Sequence, residues 1–338
     1  DRPHPGRGPR HHQRAGKPDV EVEKAVSLGP GERRDVDFAA DDFSQLTVDH
    51  PDLWWPYTMG APNLYDLRLE FRQFGSAVDE THQRFGVRTI SQFRDDDGRF
   101  PPELGAGGNF YLQVNGRDFL VRGATYTPDL LYAYDPNRED AILSYVRDLG
   151  LNMLRLESKI PRRGFAEKAD ELGIPLMVGW MCCNQWEKWP QWDDEDNRVA
   201  RDSLRSQITM LRSHASAVVW ANASDGRPPD KVREDYHQIL RDLHWQNAVV
   251  DTVSSYVTDD TGKRLWDGIQ MAGPYTWRPP SYWFSGNYGA AGAPRPNRAT
   301  TSTFRRSRAC SSSSRRTSCG PSTTTGTSTP GPTRTTRR

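Results

Sequence analysis

From residue 109 onward, short apolar runs alternate with segments of helical spacing, and nearly every apolar run ends on a polar or aromatic residue. This order restricts the fold more than any other feature. REDAILSYVRDLG has helical spacing and a Gly stop, and NMLRLES follows as a strand. GFAEKADELG leads to IPLMVGW, RVARDSLRSQITMLRSH to SAVVWANAS, and DKVREDYHQILRDLHW to NAVVDTVSS. IQMAGPYTW supplies a further strand, and YLQVNGRDFLVRGATY reads as a hairpin entering the first buried one. Strands alternating with helices predict a parallel sheet with right-handed crossovers. No Gly-rich phosphate loop follows the first strand, which favours the start of a (β/α)8 barrel over an open sheet.

The rest of the chain obeys a different pattern. VEVEKAVSL and NLYDLRLEFRQF alternate, GPGE turns between strands, and RFGVRTISQF closes the series. Residues 19–93 are therefore expected to form a β-sandwich of immunoglobulin-like size. Asp95-Asp96-Asp97-Gly98 lacks the later ligands of a calcium loop and reads as a hairpin turn. Residues 1–18 are rich in Arg, His and Pro without periodicity, and are expected to be disordered, His11-His12 included. Residues 293–338 hold one large apolar residue, Phe304, no Asp or Glu, and ten Arg among Ser, Thr, Pro and Gly. Such a segment buries too little surface to offset its ordering entropy. Taking its ten charges from the whole chain's +1 leaves −9 for the remainder. The folded part is acidic, which argues against a nucleic-acid partner.

No apolar run is long enough to span a membrane, and no signal-peptide core is present. Of the four cysteines, Cys182 and Cys183 are adjacent, a poor arrangement for a disulfide, and Cys310 and Cys319 lie in the tail. No metal-ligand spacing appears, so neither a metal nor a cofactor is expected.

In a (β/α) barrel the site is built at the carboxyl ends of the strands. Those ends supply Tyr126 and Asp129 after the first strand, Glu157 after the second, and Trp180 and Trp186 after the third. Asn222, Ser224 and Asp225 close the fourth, and Tyr275 and Trp277 follow the sixth, with Trp283 beyond. Acids among many aromatic rings in one mouth suit a carbohydrate, because ring faces stack on sugar faces and carboxylates bind hydroxyls or amines. Each ring taken alone serves equally well as core. Asp225 taken alone could be a helix N-cap, but Gly226 and two prolines separate it from the helix body and Asp230 is the better-placed cap.

Several separate motifs then carry a resemblance, over about residues 20–290. LWWPYTMGAPNLYDLRLEF and FGVRTI resemble the immunoglobulin-like domain of glycoside hydrolase family 2, and FYLQVNGRDFLVRGATYTPDL and LGLNMLRLES the entry to its barrel. YTPDL, GWMCCNQWE, ASDG and MAGPYTWRPPSYWF are most similar to its exo-β-D-glucosaminidase branch. The resemblance implies an immunoglobulin-like sandwich followed by an incomplete (β/α)8 barrel over residues 109–290. It further implies an extracellular, retaining exo-glycosidase that removes terminal β-D-glucosamine from chitosan-type oligosaccharides. Two carboxylates about 5–5.5 Å apart then flank the bond, one as acid/base and one as nucleophile. The branch carries its acid/base in a Ser-Asp pair, which Ser224-Asp225 matches, and Asp129 matches an acid that contacts the substrate amine. Where the branch has a second amine-binding Glu, this chain has Met181. A thioether cannot pair with an ammonium, so a neutral sugar such as β-mannose is the alternative.

The family's nucleophile, a Glu, follows the segment that YWFSGNYGAAG matches, but no acid follows Asp267 here. The tail reads like a GC-rich gene translated out of frame: with permissive codons, reading from two bases into the Pro294 codon yields Glu-Thr-Gln-Gln-Gly-His. A frame disruption near residues 289–294 is therefore expected, leaving this chain without its nucleophile and inactive. A non-catalytic carbohydrate-binding remnant is the remaining alternative, and a genuine Arg-rich tail that binds RNA or anionic surfaces is the competing account of residues 293–338.

Overall fold

The computed structural model describes residues 19–94, 110–127, 133, 135–157, 160–253, 257–258 and 264–265. Twelve strands, four α-helices and three short 3₁₀ helices appear among them. Strands β1 (Tyr65–Gln73) and β2 (Ser76–Phe85) form one antiparallel ladder, turned at Phe74-Gly75. A three-stranded sheet follows, β3 (Ile90–Arg94), β4 (Phe110–Val114) and β5 (Arg117–Phe119). The parallel sheet is built from β6 (Gly123–Tyr126), β7 (Met153–Leu156), β8 (Leu176–Gly179), β9 (Ala217–Ala221) and β10 (Ala248–Val250). Short strands β11 (Val257–Thr258) and β12 (Arg264–Leu265) pair with each other.

The parallel strands lie side by side in chain order, from β6 at one edge to β10 at the other. Helices α1 (Pro136–Asp148), α2 (Arg163–Leu172), α3 (Asp194–Leu211) and α4 (Asp230–Asp242) make the crossovers. Their ends follow the local chemistry. Asp135 caps α1 by accepting from the backbone N–H groups of Asn137 and Arg138, with Pro136 at the first turn. Gly173 ends α2 in the left-handed region, φ 66°. Asp193 and Asp196 form a reciprocal capping box on α3. At α4 the expected cap is displaced by one residue. Pro229 is the N-cap, Asp230 is already helical, and its carboxylate instead meets Arg227 and Arg233.

Two buried clusters sandwich the sheet. On one side Leu154, Leu156, Leu176, Val178 and Trp220 pack with helical residues such as Phe165, Leu204, Ile208 and Tyr236. On the other, Met153, Met177, Val219 and Val250 pack with Leu112, Val114 and Phe119 of the β4–β5 hairpin. Burying such side chains contributes roughly 1.5–3 kcal/mol each before entropy is counted. The edge of β10 is partly satisfied by Gln92, whose Oε1 accepts from the Val249 N–H at 2.9 Å.

The amino ends of the strands are closed by residues 53–88. Trp54 is fully buried and donates from Nε1 to the Asp170 carbonyl at 2.9 Å. The Tyr57 N–H bonds the Gly173 carbonyl at 2.8 Å. Arg88 donates to the carbonyls of Ala215, His214 and Ala217 and to Asn247 Oδ1 at 2.6–3.4 Å. Burial pushes its guanidinium down to about 10, opposed by the charge of Asp170. Asp170 is itself buried, accepting from the Ser216 N–H and bonding His214 Nδ1, each at 2.7 Å. Gly86 fits because a Cβ there would stand 2.7 Å from the Ala215 Cβ and 2.8 Å from the Trp54 Cβ.

Residues 19–93 contain fewer strands than their alternation predicts. Residues 20–38, including VEVEKAVSL, join no ladder, and RFGVRTISQF is split between β2 and β3. Leu67, Leu69, Phe71 and Val78 of the β1–β2 hairpin are each about half exposed (49–55%). Alternation fixes which side chains share a face, but a strand also needs a partner for its backbone groups. The Asp95–Gly98 turn, the strand in IQMAGPYTW and both terminal segments lie outside the described residues.

Candidate active site

Strand β9 is buried along its whole length, and the chain surfaces only past its carboxyl end. Asn222, Ala223 and Ser224 are still buried, whereas Asp225 is exposed. Asn222 is committed to structure. Its Oδ1 accepts from Trp220 Nε1 at 3.0 Å and its Nδ2 donates to Asp251 Oδ1 at 2.9 Å. Burial raises the Asp251 carboxyl, but hydrogen bonds from His237 and Asn222 outweigh it and hold the group below the ordinary carboxylate range.

Ser224 joins three charged groups. Its Oγ receives a bond from Arg155 and lies 3.2 Å from Asp225 Oδ1 and 3.5 Å from Glu157 Oε1. A hydroxyl has one proton to donate, and Asp225 is the nearer acceptor. Arg155 also stands 3.5 Å from Glu157, so one guanidinium offsets part of the negative charge gathered here.

A residue without a role in the sequence reading holds this turn in place. Glu187 Oε1 accepts the backbone N–H of Ser224 and of Asp225, both at 2.7 Å, and lies 3.4 Å from that of Gly226. Three successive backbone donors converging on one carboxylate fix where Asp225 projects. Glu187 ends a short 3₁₀ turn, Gln185–Glu187, capped by Asn184, whose Oδ1 accepts from the Trp186 N–H at 3.0 Å. Only the Trp-Glu pair in GWMCCNQWE hinted at it, and the 37 residues separating Glu187 from Ser224 hide the contact.

The aromatic residues fall into two groups. Trp180 is 6% exposed, stacks on Trp186 with ring centroids 4.2 Å apart, and meets Trp220 edge-on at 5.2 Å. Trp189 covers Gly226, where a Cβ would come within 3.1 Å of its ring. Trp189 is therefore the ring that touches the turn carrying Asp225, while Trp180 and Trp220 belong to the buried cluster shared with the helices and Trp186 packs against it. Tyr126 instead stacks on Phe165 of α2 at 5.7 Å, and lines a cleft with Arg138, Leu156 and Ile160. The structure thus brings Asp225, Ser224 and Glu157 together, holds Asn222 on Trp220 and Asp251 instead, keeps Trp180 and Trp186 stacked on each other, and turns Tyr126 toward the helices. Asp129 and Tyr275 lie outside the described residues, as does everything beyond Leu265.

The same mouth holds both central cysteines. Cys182 and Cys183 are joined by a disulfide despite their adjacency, which sequence geometry alone disfavours. Cys183 has φ 68°, and its Sγ lies 3.6 Å from Asp225 Oδ2. The thioether of Met181 contacts the Asn184 side-chain amide. No helix among the described residues is long and apolar enough to cross a membrane.

Comparison with known proteins extends this picture. Residues 11–88 match the family Glycosyl hydrolases family 2. The chain is 32% identical over 275 residues to an exo-beta-D-glucosaminidase of Streptomyces avermitilis, an overlap of 79% of this chain and 29% of that protein. Its similarity to a beta-mannosidase B of Aspergillus terreus is lower, 25% over 183 residues, covering 53% of this chain and 20% of the other. Among solved structures, the Amycolatopsis orientalis exo-chitosanase in complex with PNP-beta-D-glucosamine aligns with a TM-score of 0.63 and 32% identity. That alignment covers 73% of this chain and 28% of the exo-chitosanase. The chain therefore spans under a third of the length of these glucosaminidase relatives.

Proposed function

This chain belongs to glycosyl hydrolase family 2, and from that premise we propose that Asp225 is the general acid/base of a retaining exo-β-D-glucosaminidase. The five parallel strands are then the first part of a (β/α)8 barrel, and residues 19–93 correspond to the family's immunoglobulin-like sandwich. The reading is carried by one observation: an exposed carboxylate at the carboxyl end of a buried strand, on a turn whose backbone N–H groups are fixed by Glu187. In the reaction, Asp225 gives its proton to the glycosidic oxygen while a second carboxylate attacks the anomeric carbon. Asp225 then takes a proton from water, which releases the sugar from that carboxylate. Ser224 orients Asp225, and Glu157 and Asn222 shape the pocket on either side. Trp186, backed by the buried Trp180, supports the sugar face, and Asp129 and Tyr275 complete the substrate side, Asp129 toward the amine, whereas Tyr126 packs on Phe165. The substrate is an oligosaccharide.

The second carboxylate belongs to the segment after residue 290, where we infer a frame disruption that leaves this chain without turnover. Met181 favours a second reading. It removes an acid from the amine site, which suits a neutral β-mannoside, although the similarity to beta-mannosidase B is lower.

The test is hydrolysis of PNP-β-D-glucosamine by the chain as it stands and by the gene read in the restored frame past residue 290. Turnover is expected only in the restored protein, falling by about 10²–10⁴-fold in Asp225→Asn. Faster hydrolysis of PNP-β-mannoside would select the second reading, and saturable sugar binding without turnover in either protein would select a binding remnant. Undiminished turnover in Asp225→Asn would reject the assignment.

A further inference from the structure

The mouth beside Asp225 carries a second chemistry that glycoside hydrolysis does not use. Cys182 Sγ, Cys183 Sγ and a carboxylate oxygen of Asp225 all lie within 4.8 Å of one another. Two of them, Cys183 Sγ and Asp225 Oδ2, are 3.6 Å apart. Ligands of one tetrahedral zinc stand roughly 3.5 Å apart, given bonds of about 2.3 Å to sulfur and about 2.0–2.2 Å to carboxylate oxygen. Cys183 and Asp225 are exposed and Cys182 is half-buried, so an ion and its remaining water ligand can reach them. Glu187 fixes the turn carrying Asp225, so one side of the donor set is preorganised.

We propose that reduction of the Cys182–Cys183 disulfide creates a site for a thiophilic d¹⁰ cation of the zinc type, bound by both thiolates and the Asp225 carboxylate. The steps balance. A thiol reductant gives up two electrons, becomes a disulfide, and leaves Cys182 and Cys183 as thiols. The cation then displaces two thiol protons to solvent, forms two metal–sulfur bonds and one metal–oxygen bond, and loses water in exchange. In the oxidised form neither sulfur is a thiolate and the site does not exist. Occupancy also takes Asp225 out of service as a proton donor, so the same carboxylate serves either a sugar or a metal according to the redox state beside it. The switch at Asp225 rests on the glycosidase reading, whereas the metal site itself does not, because its donor set requires no substrate.

Cd²⁺ is the probe, because its thiolate bonds give an ultraviolet sulfur-to-metal absorption. The full chain is used with Cys310→Ser and Cys319→Ser, which removes the tail thiols. After reduction with a dithiol and removal of the reductant, one Cd²⁺ per chain is expected, with that absorption. The air-oxidised chain is expected to show none, and Cys182→Ser or Cys183→Ser to abolish it. Asp225→Asn should weaken binding about tenfold or more, equivalent to ~1.4 kcal/mol. A cadmium-113 resonance of the unsubstituted site, reporting two sulfurs and oxygen, makes the result independent of how that variant folds. Equal binding by oxidised and reduced chains, or a cadmium shift reporting sulfur alone with full affinity in Asp225→Asn, would overturn the proposal.

Discussion

The two ends of the parallel sheet are built on opposite principles. At the amino ends, charged and polar groups are buried or half-buried and hydrogen-bonded. Asp170, His214, Trp54 and Arg88 form one hydrogen-bonded network that ties residues 53–88 to the strands. At the carboxyl ends, Asp225 is exposed, and its neighbours Ser224, Glu187 and Glu157 are arranged around it rather than over it. Buried charges are tolerated where each hydrogen-bonding position is filled. A carboxylate meant to exchange protons with a ligand must keep a face open. The first end is therefore expected to govern stability and the second chemistry, and substitutions at each should separate the two.

The largest stability loss is expected from Asp170→Ala. It strips partners from the Ser216 N–H and His214 and leaves Arg88 without its nearest counter-charge. About 3–5 kcal/mol should be lost, read as a lower denaturation midpoint in urea. Gly86→Ala comes next at about 1–3 kcal/mol, because its Cβ would collide with Ala215 and Trp54. At the other end Glu187→Ala should cost only ~1 kcal/mol. Its signature is faster amide hydrogen exchange at Ser224, Asp225 and Gly226, with the amino-end amides unchanged. An equal loss of protection at both ends would contradict the division between a stabilising end and a chemical end.

The smallest effect is a pH dependence at the carboxyl end. Asp251 has a folded-state pKa below its unfolded value, so it stabilises the protein above about pH 4 and loses that contribution as pH falls through the folded pKa. Asp251→Asn should therefore be less stable than the parent near neutrality, with the gap narrowing below about pH 4. Denaturation midpoints measured between pH 3 and 7 check the sign.

Much of the parallel sheet was legible because period and punctuation agree there. RVARDSLRSQITMLRSH and SAVVWANAS differ in repeat, and Asp193 and Gly173 mark helix ends. The carboxylate at 225 was legible as the polar end of an apolar run. Its setting was not, because Glu187 and Cys183 reach it across 38 and 42 residues. Nothing local distinguishes Trp180, buried in the core, from Trp186, which is part-buried beside it. In residues 20–38 the alternation was present but the partner strand was not, and alternation cannot report a partner.

One variant tests the separation directly. Asp225→Asn in the frame-restored protein should leave the urea midpoint within ±0.5 kcal/mol of the parent, while PNP-β-D-glucosamine hydrolysis drops by about 10² or more. Hydrolysis at the parental rate, or a collapse of stability like that expected for Asp170→Ala, would contradict the assignment of chemistry to the open end of the sheet.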